Sequence, residues 1–407
     1  MFRLFPLLLI PQVAFAQETE LRFQSGWESE YRRNFDLKGG ERGNTTAHEL
    51  SFRATVEAQP ADRIRAYLEA EAVFDRERRQ GETRETAESL RINQAYLAFD
   101  LDGSELTLGR FLMRDDREWL VDENLDGLRL RHEGERARFD LSVSRVDMWH
   151  RDLLDSHSTG DSVNNFIALA DFQIGEAIWL GGYAVLRDDH SGQDGRPVHF
   201  GLRSHGELAE GLSYWADLGA VRDNDGEMPL RGHAVTAGAT YRLASLPAAP
   251  RLTLGYAWAS GDDDPGDNRN TAFRQTGLQS NEGRLGDGGK LHYYGEAFDP
   301  ELSNMAILTA AIGANPTEAL SLDLVYNHFR QVEAADSLRD AALDADPDGN
   351  SRELGQELDL VLTYEPEDDW EIQAALGWFR PGNAFRHADE RRADGALHAR
   401  LELEYRF

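Results

Sequence analysis

Leu397–Phe407 reads LHARLELEYRF. The odd positions Leu397, Ala399, Leu401, Leu403, Tyr405 and Phe407 are apolar or aromatic, and the even positions His398, Arg400, Glu402, Glu404 and Arg406 all ionise. In an extended chain, this period of two puts grease on one face and charge on the other. A strand of a soluble sandwich can alternate the same way. The length favours a membrane, because a tilted strand crosses a bilayer in roughly 9–11 residues.

The rest of the chain repeats the pattern. Alternating runs include Arg63–Phe74, Ala137–Val146, Val198–Gly206, Ala234–Leu243, Arg251–Trp258, Leu320–Phe329, Gln356–Tyr364 and Trp370–Phe379. Breaks between them alternate in length. Gln59–Asp62, Leu101–Gly103, Asn315–Thr317 and Glu365–Asp368 are tight turns rich in Pro, Gly and Asp, while Asp75–Ser89, Arg187–Pro197, Gly261–Ser303, Gln331–Gly355 and Pro381–Gly395 are long. Short inner turns alternating with long outer loops are the pattern of transmembrane antiparallel β-barrels, and the count comes to about 18 strands at roughly 22 residues each. An even count places both termini in the periplasm. A terminal strand ending in Phe resembles the closing strand of bacterial outer-membrane barrels. Leu90–Asp100, Asn164–Ile174 and Asn304–Gly313 are not cleanly periodic, which predicts bulges there. Trp27, Tyr31, Trp179, Trp215, Tyr241, Trp258, Tyr364, Trp370 and Trp378 fall near run ends and are expected to form interfacial girdles.

Met1–Ala16 reads as a secretory signal peptide, with Arg3, an apolar run from Leu4 to Ile10 and the small-x-small site Ala14-Phe15-Ala16. Residues 17–407 are then the barrel. Mean hydropathy is polar, at −0.56. A barrel shows lipid only alternate residues, so this value does not exclude one. The sequence has no cysteine, so no disulfide holds an exported fold together. Its 73 acids against 43 bases give a formal charge of −30, which argues against nucleic acid as a partner. Lysine is almost absent, so the positive charge is nearly all guanidinium, suited to carboxylates and phosphates.

Alternation sends the charged face inward, since a charge facing hydrocarbon costs about 2–4 kcal/mol at mid-bilayer. Among the residues expected in a water-filled lumen are Arg22, Arg65, Arg129, Arg131, Arg203, Arg251, Arg400 and Arg406, with Glu28, Glu71, Asp140, Asp323, Glu357 and Glu402. Most would neutralise each other as a ladder. A subset left without acids would make a cationic path for an anion.

Two stretches go beyond a generic barrel pattern. Gly109–Arg129 reads GRFLMRDDREWLVDENLDGLR, and Thr271–Gly313 contains FRQTGLQSN and YYGEAFDPELSNM. Together they resemble the signature segments of the alginate-export family of outer-membrane proteins. The resemblance implies an eighteen-stranded barrel with an arginine-lined pore that passes an anionic uronic-acid polysaccharide. It implies polysaccharide contacts at Arg110, Arg117, Arg129, Arg131, Arg274 and Arg284, with Asp122, Asp126, Glu296 and Glu301 as acidic companions. Expected partners are outer-membrane lipids, lipopolysaccharide, the polysaccharide and a periplasmic export machinery. Family members can carry a long periplasmic plug loop, whereas the turn Glu365–Asp369 is short.

No cofactor is expected. Asp344–Gly349 opens like a calcium loop, but its twelfth position is Gly355, where an EF-hand needs an acid. Asp262, Asp264, Asp344, Asp346 and Asp348 are the candidate ligands for a structural Ca²⁺ in outer loops, where divalent ions could also bridge to lipopolysaccharide. His150, His157, His190 and His292 have no Ser, Asp or Glu in a nucleophile setting beside them, so the chain does not read as an enzyme. Two other readings stay open: a diffusion porin for small organic acids or oligosaccharides, and a glycan-binding surface barrel without transport.

Overall fold

The computed structural model describes residues 18–39, 43–82, 84–155, 163–190, 195–223, 228–386 and 393–407. The expected signal peptide and His157 lie outside them. The strands are β1 (Glu18–Arg33), β2 (Thr45–Ala61), β3 (Ile64–Arg79), β4 (Glu85–Asp100), β5 (Ser104–Arg114), β6 (Asp122–Glu133) and β7 (Ala137–Arg145). Next come β8 (Val163–Ile174), β9 (Ile178–Asp189), β10 (Val198–Ala209), β11 (Leu212–Asp223), β12 (Leu230–Arg242) and β13 (Arg251–Ala259). A small hairpin, β14 (Glu282–Arg284) and β15 (Lys290–His292), stands apart. The wall resumes with β16 (Met305–Thr317), β17 (Leu320–Gln331), β18 (Glu353–Tyr364), β19 (Trp370–Pro381) and β20 (Ala396–Arg406).

Leaving out the hairpin, 18 strands form one sheet in which each pairs antiparallel with its chain neighbours, and β1 pairs with β20. The ring is closed, so every wall strand has two neighbours. The closing strand is the stretch whose alternation is plainest. Trp27 lies opposite Leu403, and Phe23 and Phe407 exchange two backbone hydrogen bonds of 3.0 and 2.9 Å. Their rings stack at 5.7 Å. The outward face is apolar, with Phe23, Phe52, Leu108, Leu128, Leu254 and Leu360 among the exposed side chains. No helix is long and apolar enough to cross a membrane; the strands do the crossing.

Inward-facing charges pair across strands as expected. Arg129 grips Asp140, Arg203 grips Asp171 and Arg251 grips Asp323, each through two guanidinium nitrogens. Such bidentate pairs are stronger than neutral hydrogen bonds, and they fix side chains that would otherwise wander.

Several expectations need correction. The break Asp75–Ser89 is mostly strand: β3 continues to Arg79 and β4 begins at Glu85, because the ladder keeps pairing above the apolar band. A bulge occurs at Asn93, between the pairs Glu69–Gln94 and Ala70–Ile92. β8 has none, and the shift in β16 comes only at the turn. Those two strands lose their period because both faces are apolar. Ile167, Leu169, Met305 and Ile307 are buried inside, while Phe166 and Leu308 face outward. Trp215 and Trp179 are not girdle residues. Trp215 shares the inward parity of Asp217, and each indole lies under a guanidinium, Arg117 at 4.9 Å and Arg138 at 4.0 Å.

Candidate functional site

The inner faces of Phe111, Met113, Leu125, Ile307, Phe329 and Phe379 need something apolar to pack against. The chain supplies it from residues 260–304, which leave the outer end of β13 and turn into the lumen. Phe298 wedges between Phe329 and Phe379, with ring centroids 4.9 Å from each. The expectation of a bore that is wet throughout is therefore corrected: its outer half holds a dry core.

The inserted segment continues down to the far rim. Asp287, between β14 and β15, meets Arg242 at 3.1 Å and Arg251 at 3.5 Å. Those arginines flank the inner turn 243–250, at the opposite end of β13 from Ala259. A strand of that length spans roughly 30 Å at 3.3 Å per residue. Two glycines let the tip lie against the wall. A Cβ on Gly288 would sit 2.7 Å from the Asp323 carboxylate, and one on Gly289 2.3 Å from the Thr363 hydroxyl. Higher up, both Glu357 oxygens accept backbone N–H groups, from Ala297 at 2.6 Å and Phe298 at 2.9 Å.

A second inward loop, residues 115–121, locks the first. Trp119 is 2% exposed, stacks on Phe273 at 6.2 Å and donates its indole N–H to the Tyr294 hydroxyl at 3.1 Å. Gln275 donates to the Trp119 carbonyl, Thr276 to that of Leu120, and the N–H of Asp122 to Leu278. The two stretches singled out in the sequence thus meet in space and form one plug.

The plug carries its own charge network. Lys290 pairs with Glu282 and lies 3.4 Å from Glu118. His292 sits between Asp299 at 3.1 Å and Glu282 at 3.2 Å. Burial alone would lower its pKa, but Asp299, with Glu296 and Glu282, raises it to about 9. His292 and Lys290 escaped the sequence reading as site residues. The only signal was their place inside the quoted segment.

The expected site residues divide accordingly. Arg117 bonds Asp217 at 2.8 Å and stacks between Trp215 and Tyr293. Arg274 lies 3.8 Å from Asp223. Glu296 accepts the His292 backbone N–H at 3.1 Å and lies 3.9 Å from Arg400. Glu301 holds Arg339 at 3.0 Å. Asp122 holds Arg114 at 2.6 Å. Arg129 and Arg131 line a cavity of about 360 Å³ on one side of the plug, where five guanidiniums are matched by five carboxylates, Asp115, Asp116, Glu133, Asp140 and Asp171. Arg131 pairs with Glu133. Arg284 is exposed on the lower hairpin; its guanidinium donates to the Gly288 carbonyl at 2.8 Å and, among the described residues, forms no ion pair. Arg110 and Asp126 lie apart from the plug, paired with each other at 2.7 Å on the outward face.

The opposite side of the lumen has another character. Glu402, Glu28, Glu49 and Asp75 stand directly opposite one another on β20, β1, β2 and β3, and among the described residues none forms an ion pair. A cavity of about 520 Å³ separates this wall from Lys290, Glu282 and Arg114. The bore is therefore not uniformly cationic.

The loop carboxylates do not gather around a metal. Asp262 accepts from Thr271, Asp264 caps a turn at Gly266, and Asp344 pairs with Arg79. Asp346 and Asp348 accept backbone N–H groups from Leu338 and Asn350. Among the described residues no group of three His, Cys, Asp or Glu could hold an ion.

Residues 17–398 match the alginate export family model. The chain belongs to the alginate export family. The alginate production protein AlgE of Pseudomonas aeruginosa is 32% identical over 147 residues, 32% of this chain and 29% of that protein. AlgE of Azotobacter vinelandii is 30% identical over 159 residues, 37% of this chain and 32% of that protein. These matches span about a third of the relatives' length. AlgE of Pseudomonas syringae is 22% identical over 356 residues, 70% of this chain and 69% of that protein. Two solved Pseudomonas aeruginosa barrels share the fold of this alginate export family member. OccK7 has a TM-score of 0.60 at 15% identity, covering 96% of this chain and 99% of that one. OpdK, solved with vanillate, has 0.61 at 13%, covering 95% and 98%. The molecule is an outer-membrane β-barrel with the architecture of a channel, and its family and fold are those of channels rather than enzymes.

Proposed function

We propose that the barrel is an outer-membrane channel for an anionic uronic-acid polysaccharide, of the alginate type, and that the plug is its constriction. The observation that carries this reading is the plug itself: the two segments that mark the family fold together inside the bore. They present Arg284, on the lower hairpin, without a carboxylate. Arg117 contributes by holding the constriction in place through Asp217, a positioning role, while Arg129 and Arg131 pair within the wall. Transport through such a pore runs on many weak contacts, so that each sugar both enters and leaves. A periplasmic export machinery would supply the polymer, and lipopolysaccharide surrounds the outer rim. Residues 1–16 would direct secretion and be removed.

The second reading, a diffusion channel for small solutes, is favoured by the plug's tight anchoring and by the row of carboxylates on the opposite wall. Planar-bilayer recording of the refolded protein separates the two. Mannuronate oligomers added on the periplasmic side should interrupt the current, with dwell times that lengthen with chain length. Current that ignores oligomers of every length would refute the polysaccharide reading and leave the small-solute channel.

A further inference from the structure

Residues 146–155, which follow β7, do not stand up from the rim. On β5 and β6 the odd residues Phe111, Met113 and Leu125 pack inward against the plug, and the even residues Leu108 and Leu128, next outward below Arg110 and Asp126, face lipid at 50% and 48% exposure. Arg110 and Asp126 are even and directly opposite each other. A charged pair is thus aimed at hydrocarbon, yet the two are only 3% and 0% exposed. The Trp149 backbone covers them: its carbonyl accepts from Arg110 at 2.5 Å, and its N–H points to Asp126 at 3.4 Å.

The same segment closes a gap in the wall. β4 and β5 stop pairing above the pair Ala95–Arg110. Beyond that point Ile92 donates to the Arg151 carbonyl at 2.9 Å, and Leu153 to the Leu90 carbonyl at 2.8 Å. The ladder fixes the depth. Leu90 lies opposite Ala72, which lies opposite the outward Phe52, and the next outward pair above is Leu50–Phe74. Leu153 therefore sits within the apolar belt rather than over it. Met148, Trp149, Leu153 and Leu154 are 50%, 61%, 58% and 60% exposed.

We propose that residues 147–154 form a membrane-embedded flap, whose four apolar side chains meet the acyl chains of the outer leaflet and seal the Arg110–Asp126 pair from lipid. Continuity with Phe52, Phe74, Leu108 and Leu128 names the occupant. A second copy of the chain is the poorer fit, since a stable protein interface uses roughly 20–30 residues a side. The flap is independent of what passes through the bore.

The sequence has no cysteine, so single cysteines label cleanly. Trp149→Cys and Leu153→Cys, spin-labelled in protein refolded into phosphatidylcholine vesicles, are compared with Leu128→Cys in the belt and Asp264→Cys in an outer loop. Accessibility to oxygen over a nickel chelate should match the Leu128 site at both flap positions. A ratio matching the Asp264 site overturns the proposal, and so does spin–spin broadening, which would put a second copy there. Trp149→Phe keeps an aromatic ring should a cysteine variant fail to fold. It should remove part of the tryptophan quenching by brominated lipid, and unchanged quenching would also refute the flap.

Discussion

Trp119→Ala is the most direct probe of the plug. The indole is almost fully buried, stacks on Phe273, meets Tyr183 edge-on at 6.4 Å and donates to Tyr294. Truncating a buried tryptophan costs about 3–5 kcal/mol. Leaving the Tyr294 hydroxyl without its donor adds about 1 kcal/mol. None of these contacts belongs to the wall's hydrogen-bonded ladder, so the loss falls on the equilibrium between docked and undocked plug. At 1.4 kcal/mol per decade, a total of about 4–6 kcal/mol raises the undocked population roughly 10³–10⁴-fold. Single-channel recordings should then show excursions to a larger conductance that the unmodified protein visits rarely. The heat-modifiable band on a gel, which reports the closed barrel, should stay where it is. Trp119→Phe keeps the stack and gives up one hydrogen bond, so its effect should be near 1 kcal/mol. Conductance unchanged in Trp119→Ala, together with a loss of barrel stability, would refute the assignment of this side chain to the plug.

The charge on His292 sets a pH window for the same equilibrium. Its pKa in the folded plug, about 9, exceeds the ordinary 6.5. The stabilisation is complete below about pH 6.5 and lost as pH rises through 9, at most about 3 kcal/mol. Plug-open events should grow commoner in that range, and His292→Gln should flatten the profile. Arg284→Glu should weaken block by mannuronate oligomers roughly tenfold, the worth of one charge-assisted hydrogen bond; equal block in both proteins would take Arg284 out of the path. Arg110→Ala strands the fully buried Asp126 carboxylate and should cost about 3–5 kcal/mol, whereas replacing both partners by Leu should cost far less. Thermal melting of the refolded barrels checks both, and equal losses would mean that the pair is not sealed.

Most of the wall was legible because a barrel writes its two environments into alternate residues. Leu397–Phe407 shows the rule at its plainest, and the paired ladders of Arg129–Asp140 and Arg251–Asp323 follow from it. The plug was not legible: the resemblance marked its two segments, and Gly261–Ser303 read as an outer loop. Nothing local in residues 260–304 says whether the segment rises from the rim or drops into the bore. The clue lay elsewhere: Ile167, Leu169, Met305 and Ile307 are apolar where charge is expected, because they face the plug and not water. In β8 and β16 the broken periodicity looked like bulging when it meant a second apolar contact, whereas in β4 it did mark a bulge, at Asn93. Arg110 and Asp126 could not be placed from sequence either, since the flap that hides them lies about 20–40 positions away along the chain.

The closed ring of strands also limits how this molecule can change its aperture. Circumference is counted in whole strands, and a seam between β1 and β20 held along its length, down to Phe23 and Phe407, cannot stretch by a fraction of one. Any widening of the passage must come from rearranging what sits inside the cylinder. The wall is a fixed sleeve, and residues 115–121 and 260–304 are the adjustable part.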